Sequence, residues 1–108
     1  MQKKKIFIEN KEISSSVPPY IIGEVSANHN GDIQNVYKLI DVVKSCGASA
    51  VKIQTYTADT MTVDSSKEEF MVRGGLWDGR NLYDLYKEAT LPWDWHKDIF
   101  DYAKKKEI

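Results

Sequence analysis

YIIGEVSANHNGDIQNVYKLIDVVKSCGASAVKIQTY, residues 20–56, sets two apolar runs either side of one amphipathic stretch, and that alternation decides the fold. The first run, Tyr20-Ile21-Ile22-Gly23-Glu24-Val25, reads as a strand from about Tyr20 to Val25. The last, Ala50-Val51-Lys52-Ile53-Gln54-Thr55-Tyr56, reads as a second strand. Between them Ile33, Val36, Leu39, Ile40 and Val43 recur at helical spacing, the stripe of a helix packed along one side. Asp32 suits the N-cap of that helix, and Gly47 suits a left-handed stop. Strand, helix and strand form a βαβ unit, which implies parallel strands and a right-handed crossover.

Successive side chains of a strand point to opposite faces, so Val51, Ile53 and Thr55 share one face and Lys52, Gln54 and Tyr56 the other. If the first face packs on helices, the second carries a cation and an amide to the far side of the sheet. A lysine buried there needs an anionic partner. Glu24, at the end of the neighbouring run, is one such partner and an anionic ligand is another. Polar groups at the carboxyl ends of adjacent parallel strands are the usual setting of an α/β active site. Read without further context, a structural ion pair accounts for Glu24 and Lys52 equally well. Asn28, His29 and Asn30, on the loop after the first strand, suit either substrate contact or capping of their own backbone.

Outside this unit, Ile6-Phe7-Ile8 and Ile13 flank Glu9-Asn10-Lys11-Glu12, a short hairpin or turn. Ser14-Ser15-Ser16-Val17-Pro18-Pro19 is a linker, since proline removes a donor and keeps its predecessor extended. Residues 1–19 are therefore read as hairpin and linker, and residues 20–108 as successive βα units. From residue 57 to 79 the chain is expected to be irregular, a length that marks a binding loop, a lid or disorder. Leu82, Leu85 and Tyr86 mark a short helix to about Ala89. Pro92, at a first helical position, opens another with Trp93, His96, Ile99, Phe100 and Ala103 as candidate buried residues. That helix reaches Ile108 with no strand after it, so the chain reads as part of a larger α/β protein.

At 108 residues the chain is too short for a closed eight-stranded barrel. Its 15 Lys+Arg against 16 Asp+Glu leave a formal net charge of −1, with no electrostatic pull toward nucleic acid or an anionic membrane. The run Lys3-Lys4-Lys5 reads as a solvated terminus, and the apolar stretch behind it is too short for a signal core or a membrane span. The lone Cys46 excludes an internal disulfide, suits a reducing cytoplasm, and is expected to be a packed structural thiol. His29 and His96 lie far apart in sequence, so no metal site is expected from these residues. Trp77, Trp93 and Trp95 suit packing or stacking on a sugar, Trp77 most of all because it stands between glycines on the long loop.

IIGEVSANHNGD at 21–32 resembles the first-strand motif of the sialic acid synthase family, and GASAVKIQTYTADTMT at 47–62 resembles its second. GGLWDGRNLYDLYKEA at 74–89 and Trp93-Asp94-Trp95-His96 are most similar to the pseudaminic acid branch of that family. The resemblance implies the N-terminal part of a (β/α)8 barrel. It also implies condensation of phosphoenolpyruvate with an acetamido sugar aldehyde, in this branch a 2,4-diacetamido-2,4,6-trideoxyhexose. A divalent metal, Mn or Mg, is implied with ligands outside this chain, as is a homodimer for the full-length enzyme. Lys52 would meet phosphoenolpyruvate, with Gln54 beside it, and Glu24 would face the reacting carbon. Asn28, Asn30, Tyr56 and Trp77 would bind substrate. The alternatives are an N-acetylneuraminate or legionaminic acid synthase, an aldolase using Lys52 as a Schiff base, a carbohydrate-binding module, and an inactive truncated product.

Overall fold

The computed structural model describes residues 4–108 and begins with an antiparallel hairpin, β1 (Ile6–Ile8) and β2 (Lys11–Ile13), in which Ile6 faces Ile13. Glu9 turns the chain at φ 52°. Lys5 reaches across to Glu12 at 3.1 Å. Lys4 and Lys5 are exposed, while Lys3 of the basic run lies outside the described residues.

β3 (Ile22–Glu24) and β4 (Ala50–Lys52) pair in parallel, with Ile22 opposite Ala50, Gly23 opposite Val51 and Glu24 opposite Lys52. Both strands are shorter than the apolar runs that announce them. The Val25 amide still bonds the Lys52 carbonyl at 2.9 Å, but Ser26, at φ 53°, then turns the chain away. Residues after Lys52 consequently find no ladder partner on β3, and strand structure stops there although the chain continues toward Tyr56.

The crossover helix α1 (Ile33–Ser45) starts at Asp32, whose side chain accepts from the Gln34 amide at 2.9 Å. Its stripe places Val36 and Ile40 in full burial. Val43 presses on β3 where Gly23 has no side chain, and a Cβ built on Gly23 would stand 2.6 Å from the Val43 methyls. Gly47, at φ 80°, follows the helix. Cys46 is exposed, contrary to the expectation of a packed thiol, because it lies four residues beyond Val42 on the outward side of α1.

The stretch expected to be irregular contains a short helix, α2 (Ala58–Met61), and a 3-10 turn at Glu68–Phe70. Thr57 and Thr60 bond each other's polar groups at the start of α2, a local closure that spacing alone hides. α3 (Leu82–Ala89) is capped by Asn81, which accepts from the Tyr83 amide at 2.8 Å.

α4 (Trp95–Lys105) begins three residues after Pro92, whose carbonyl accepts the Trp95 amide in the turn leading in. With that start, helical periodicity turns Ile99 and Ala103 inward and Trp95 partly so. Trp93 and Phe100, expected to be buried, are exposed, and His96 is half-buried.

The core joins Val25, Val36, Ile40, Leu91, Ile99 and Ala103, with Val51 and Ile53 packed against it. One face of β3–β4 therefore looks onto helices, and the other carries Glu24 and Lys52. Tyr37 of α1 stacks on Tyr102 of α4 at 4.3 Å between ring centres. Asp41 fastens the same two helices, accepting from Lys106 at 2.8 Å and from the Tyr102 hydroxyl at 2.9 Å.

Candidate active site

The parallel register sets Glu24 and Lys52 side by side at the carboxyl ends of β3 and β4. Residues directly opposite in a ladder project to the same face. Lys52 Nζ lies 3.3 Å from Glu24 Oε1, and Gln54 donates its side-chain amide to that same oxygen at 2.8 Å. Ser26 donates to Gln54 Oε1 at 3.4 Å. The three strand-end groups thus converge on one carboxylate. Lys52 is not buried in this chain: 55% of its side chain is exposed, against 39% for Glu24, because nothing among the described residues covers that face.

Beside this cluster runs an open groove of about 710 Å³. It is lined by the loop after β3, with Ser26, Asn30 and Gly31, and by the C-terminal half of α3, with Tyr86, Glu88 and Ala89. Gln54 and Tyr56 also line it, as does Trp77 from the long loop. A second hollow of about 440 Å³ starts at Lys52 and shares Gln54, Tyr56 and Tyr86 with the groove. The hollow at Lys52 therefore adjoins the groove, with Gln54 common to both.

The loop bearing Trp77 is held at its base by backbone bonds between Val72 and Arg80 and between Gly79 and Val72, both 2.8 Å. Asp78 accepts from the Gly74 amide at 2.6 Å and closes its tip. Gly74 and Gly75 both take positive φ there, conformations costly for any other residue. Arg80 binds Glu88 through two guanidinium nitrogens, so these two charges cancel within the groove wall. Tyr56 meets Tyr86 edge to face at 6.0 Å, and burial, with Tyr86 nearby, raises the Tyr56 phenol above its ordinary value. The groove is neutral and aromatic; the ion pair lies at one end.

Of the residues singled out in sequence, Glu24, Lys52 and Gln54 meet, and Asn30, Tyr56 and Trp77 line the adjoining groove. Asn28 does not join them; its amide donates to the Val25 carbonyl at 2.9 Å and caps its own turn. His29 is buried among Gly31, Ala89 and Trp95. Trp93 and Trp95 lie outside the groove lining, which leaves Trp77 as the tryptophan placed to meet a ligand there. His96 contacts Thr55 and the Trp93 carbonyl. Sequence reasoning missed Ser26, Arg80 and Glu88. Arg80 precedes α3 and Glu88 lies in its last turn, eight residues on, a spacing that signals nothing until the Asn81 cap sets where the helix begins. Among the described residues no group of three or more His, Cys, Asp or Glu side chains is placed to hold a metal ion. Nor is any helix among them long and apolar enough to cross a membrane.

Residues 39–108 match the NeuB family. The chain is 49% identical over 89 residues to a pseudaminic acid synthase of Campylobacter jejuni, an alignment covering 82% of this chain and 26% of that protein. It is 43% identical over 91 residues to a pseudaminic acid synthase of Helicobacter pylori, covering 84% and 27%. The chain thus spans about a quarter of the length of these curated relatives. Its fold matches the crystal structure of an N-acetylneuraminic acid (sialic acid) synthetase from Leptospira borgpetersenii, with a TM-score of 0.74 at 24% identity over 98% of this chain and 32% of that one. The α/β architecture is accordingly that of the N-terminal part of a (β/α)8 barrel.

Proposed function

The chain belongs to the NeuB family, and on that premise we propose that the full-length protein containing it condenses phosphoenolpyruvate with an acetamido sugar aldehyde. The product is a nine-carbon 2-keto acid, and phosphate is released. We take the sugar to be a 2,4-diacetamido-2,4,6-trideoxyhexose and the product pseudaminic acid. The identities of 49% and 43% to two pseudaminic acid synthases support that choice. N-acetylneuraminate and legionaminic acid synthesis are the alternatives, differing only in the sugar.

One observation carries the reading: Glu24, Lys52 and Gln54 converge at the ends of two parallel strands, next to a neutral, aromatic groove. Phosphoenolpyruvate is a small polyanion, and a strand-end lysine with an amide donor beside it suits its carboxylate or phosphate. The acetamido sugar is neutral and carries methyl groups, which suits Tyr56, Tyr86 and Trp77. Glu24 stands where the two would meet. In the reaction the enol carbon of phosphoenolpyruvate bonds to the aldehyde carbon, water adds at the neighbouring carbon, and the C–O bond to phosphate breaks. Glu24 is assigned to the reacting carbons, where its carboxylate accepts the proton of the adding water and returns one to the aldehyde oxygen as that becomes a hydroxyl.

The described residues do not by themselves fit a divalent metal, since no ligand cluster exists among them. The Mn or Mg expected in such a reaction belongs to the proposal with ligands elsewhere in the full-length protein, as do homodimer formation and a cytoplasmic location.

The test is to incubate the full-length protein with phosphoenolpyruvate, the diacetamido sugar and Mn²⁺ or Mg²⁺. Phosphate release matched by a nine-carbon keto acid of the expected mass is the expected result. Turnover with N-acetylmannosamine but not the diacetamido sugar would reassign the substrate. Sugar binding with no turnover under any of these conditions would favour a carbohydrate-binding module.

A further inference from the structure

His29 is a buried imidazole that does not itself line the groove, yet both of its nitrogens are engaged, each by the backbone of a residue that does. Nδ1 lies 3.0 Å from the Gly31 amide, which can only donate, so Nδ1 is the acceptor. Nε2 lies 3.3 Å from the Ala89 carbonyl, which can only accept, so Nε2 carries the proton. The two contacts together select one neutral tautomer. Trp95 meets the ring edge to face at 5.8 Å and closes its remaining side. The backbone of His29 is anchored too, its carbonyl accepting from the Asp32 amide and the Asn35 side chain, both at 3.0 Å.

The two partners of the ring belong to two different elements that line the groove. Gly31 sits beside Asn30 on the loop after β3, and Ala89 ends α3 just past Tyr86 and Glu88. The Ala89 carbonyl is one of the last of its helix and has no partner within it. We infer that His29 is a positioning residue: it ties the β3–α1 loop to the end of α3 and so sets the width of the groove between Asn30 and Tyr86. That this width governs sugar binding rests on the function proposed above; the tie itself does not.

The test uses two variants of the full-length protein, each keeping half of the contact. An asparagine side chain places an acceptor where Nδ1 stands, and a glutamine side chain reaches with a donor to where Nε2 stands. In His29→Asn, hydrogen exchange should quicken at residues 86–91 while the Gly31 amide keeps its protection. In His29→Gln the pattern should reverse. Unchanged exchange at 86–91 in His29→Asn would overturn the tie. With substrates, His29→Asn should raise the KM for the sugar at least fivefold and leave that for phosphoenolpyruvate within twofold, and His29→Gln should recover most of the loss. Unchanged constants in His29→Asn, or a parallel fall in kcat and in apparent affinity for both substrates, would show a residue that only supports the fold. If the wild type turns over neither sugar, the proposed reaction falls while the exchange pattern still decides the tie. If neither variant folds, the wild-type imidazole spectrum decides: a slowly exchanging proton on Nε2 is expected, and one on Nδ1 would overturn the inference.

Discussion

Glu24 and Lys52 stand opposite each other in the last register of β3 and β4, and a single oxygen, Glu24 Oε1, receives both Lys52 Nζ at 3.3 Å and the Gln54 amide at 2.8 Å. One carboxylate thus organises the cation and the amide of the neighbouring strand. Both charged side chains remain well exposed in this chain, and an ion pair in such a setting contributes only about 0–1 kcal/mol to stability. In this chain alone the pair therefore adds little to the fold, and the ligand-facing role proposed for it is open to a direct test.

Glu24→Gln separates those two roles. The amide oxygen still accepts from Lys52 and Gln54 while the charge is gone. In the full-length protein we expect turnover to fall roughly a hundredfold or more, the scale of a positioned acid–base or electrostatic group. The melting temperature should hardly move. Both are to be measured on one preparation. A destabilised protein with normal turnover would return Glu24 to a structural role.

Gly23→Ala tests how closely α1 sits on the sheet. The added methyl would meet both Val43 methyls at 2.6 Å and Val43 Cβ at 3.2 Å, so rotating the valine does not clear it. Overpacking of this kind costs about 1–3 kcal/mol. Thermal unfolding should show the loss, and adding Val43→Ala should recover part of it. An unaltered melting temperature in the single variant would mean the helix shifts freely.

Asp41 predicts a pH window. Hydrogen bonds from Lys106 and then Tyr102 hold its carboxyl below the ordinary carboxylate range, and the same contact raises the Lys106 amine. A lowered acid favours the folded state once the unfolded carboxyl has ionised, above about pH 4, and that gain is lost as pH falls through the folded value. A raised amine favours the folded state below about pH 10 and loses that gain as pH rises through its folded value. Asp41→Asn should therefore melt lower than wild type between these limits, with the gap closing at both ends. A gap that persists at pH 2 would show that the charge is not its cause.

How much of this was legible beforehand depends on how local each contact is. The meeting of Glu24, Lys52 and Gln54 follows from side-chain alternation within a βαβ unit, whose parallel register the crossover helix enforces. The Asp32 cap and the stripe through Val36 and Ile40 are equally local. The exposure of Lys52 was not legible, because the cover of a sheet face depends on elements far along the chain. Nor was the start of α4, since Pro92 suits the turn before a helix as well as its first position. His29 and Ala89 are separated by 60 residues, and nothing near either one announces the other.

Trp77→Ala should raise the KM for the sugar about tenfold, the loss of one aromatic contact of roughly 1.4 kcal/mol. Trp77 is 56% exposed, so little stability should go with it. Its neighbour Leu76, 90% exposed and absent from the groove lining, supplies the control: Leu76→Ala should leave the KM alone. Equal effects of the two changes would point to the loop as a whole and away from the indole.

Lys52 decides between two chemistries. If it receives an anionic group of phosphoenolpyruvate, Lys52→Ala deletes a charge-assisted contact and should raise the KM for phosphoenolpyruvate at least about tenfold. Lys52→Arg keeps the charge but spreads it over a planar fork, and should recover binding better than turnover. An aldolase would use the same nitrogen as a nucleophile toward a keto acid. Its amine would then have to leave the Glu24 carboxylate, 3.3 Å away, and become neutral. Borohydride added with pyruvate would trap that adduct as a mass increase on the peptide carrying Lys52. We expect none, together with a KM for phosphoenolpyruvate that worsens in Lys52→Ala. A trapped adduct would replace the condensation with Schiff-base chemistry, and an unchanged KM and turnover in Lys52→Ala would leave the lysine as the structural partner of Glu24.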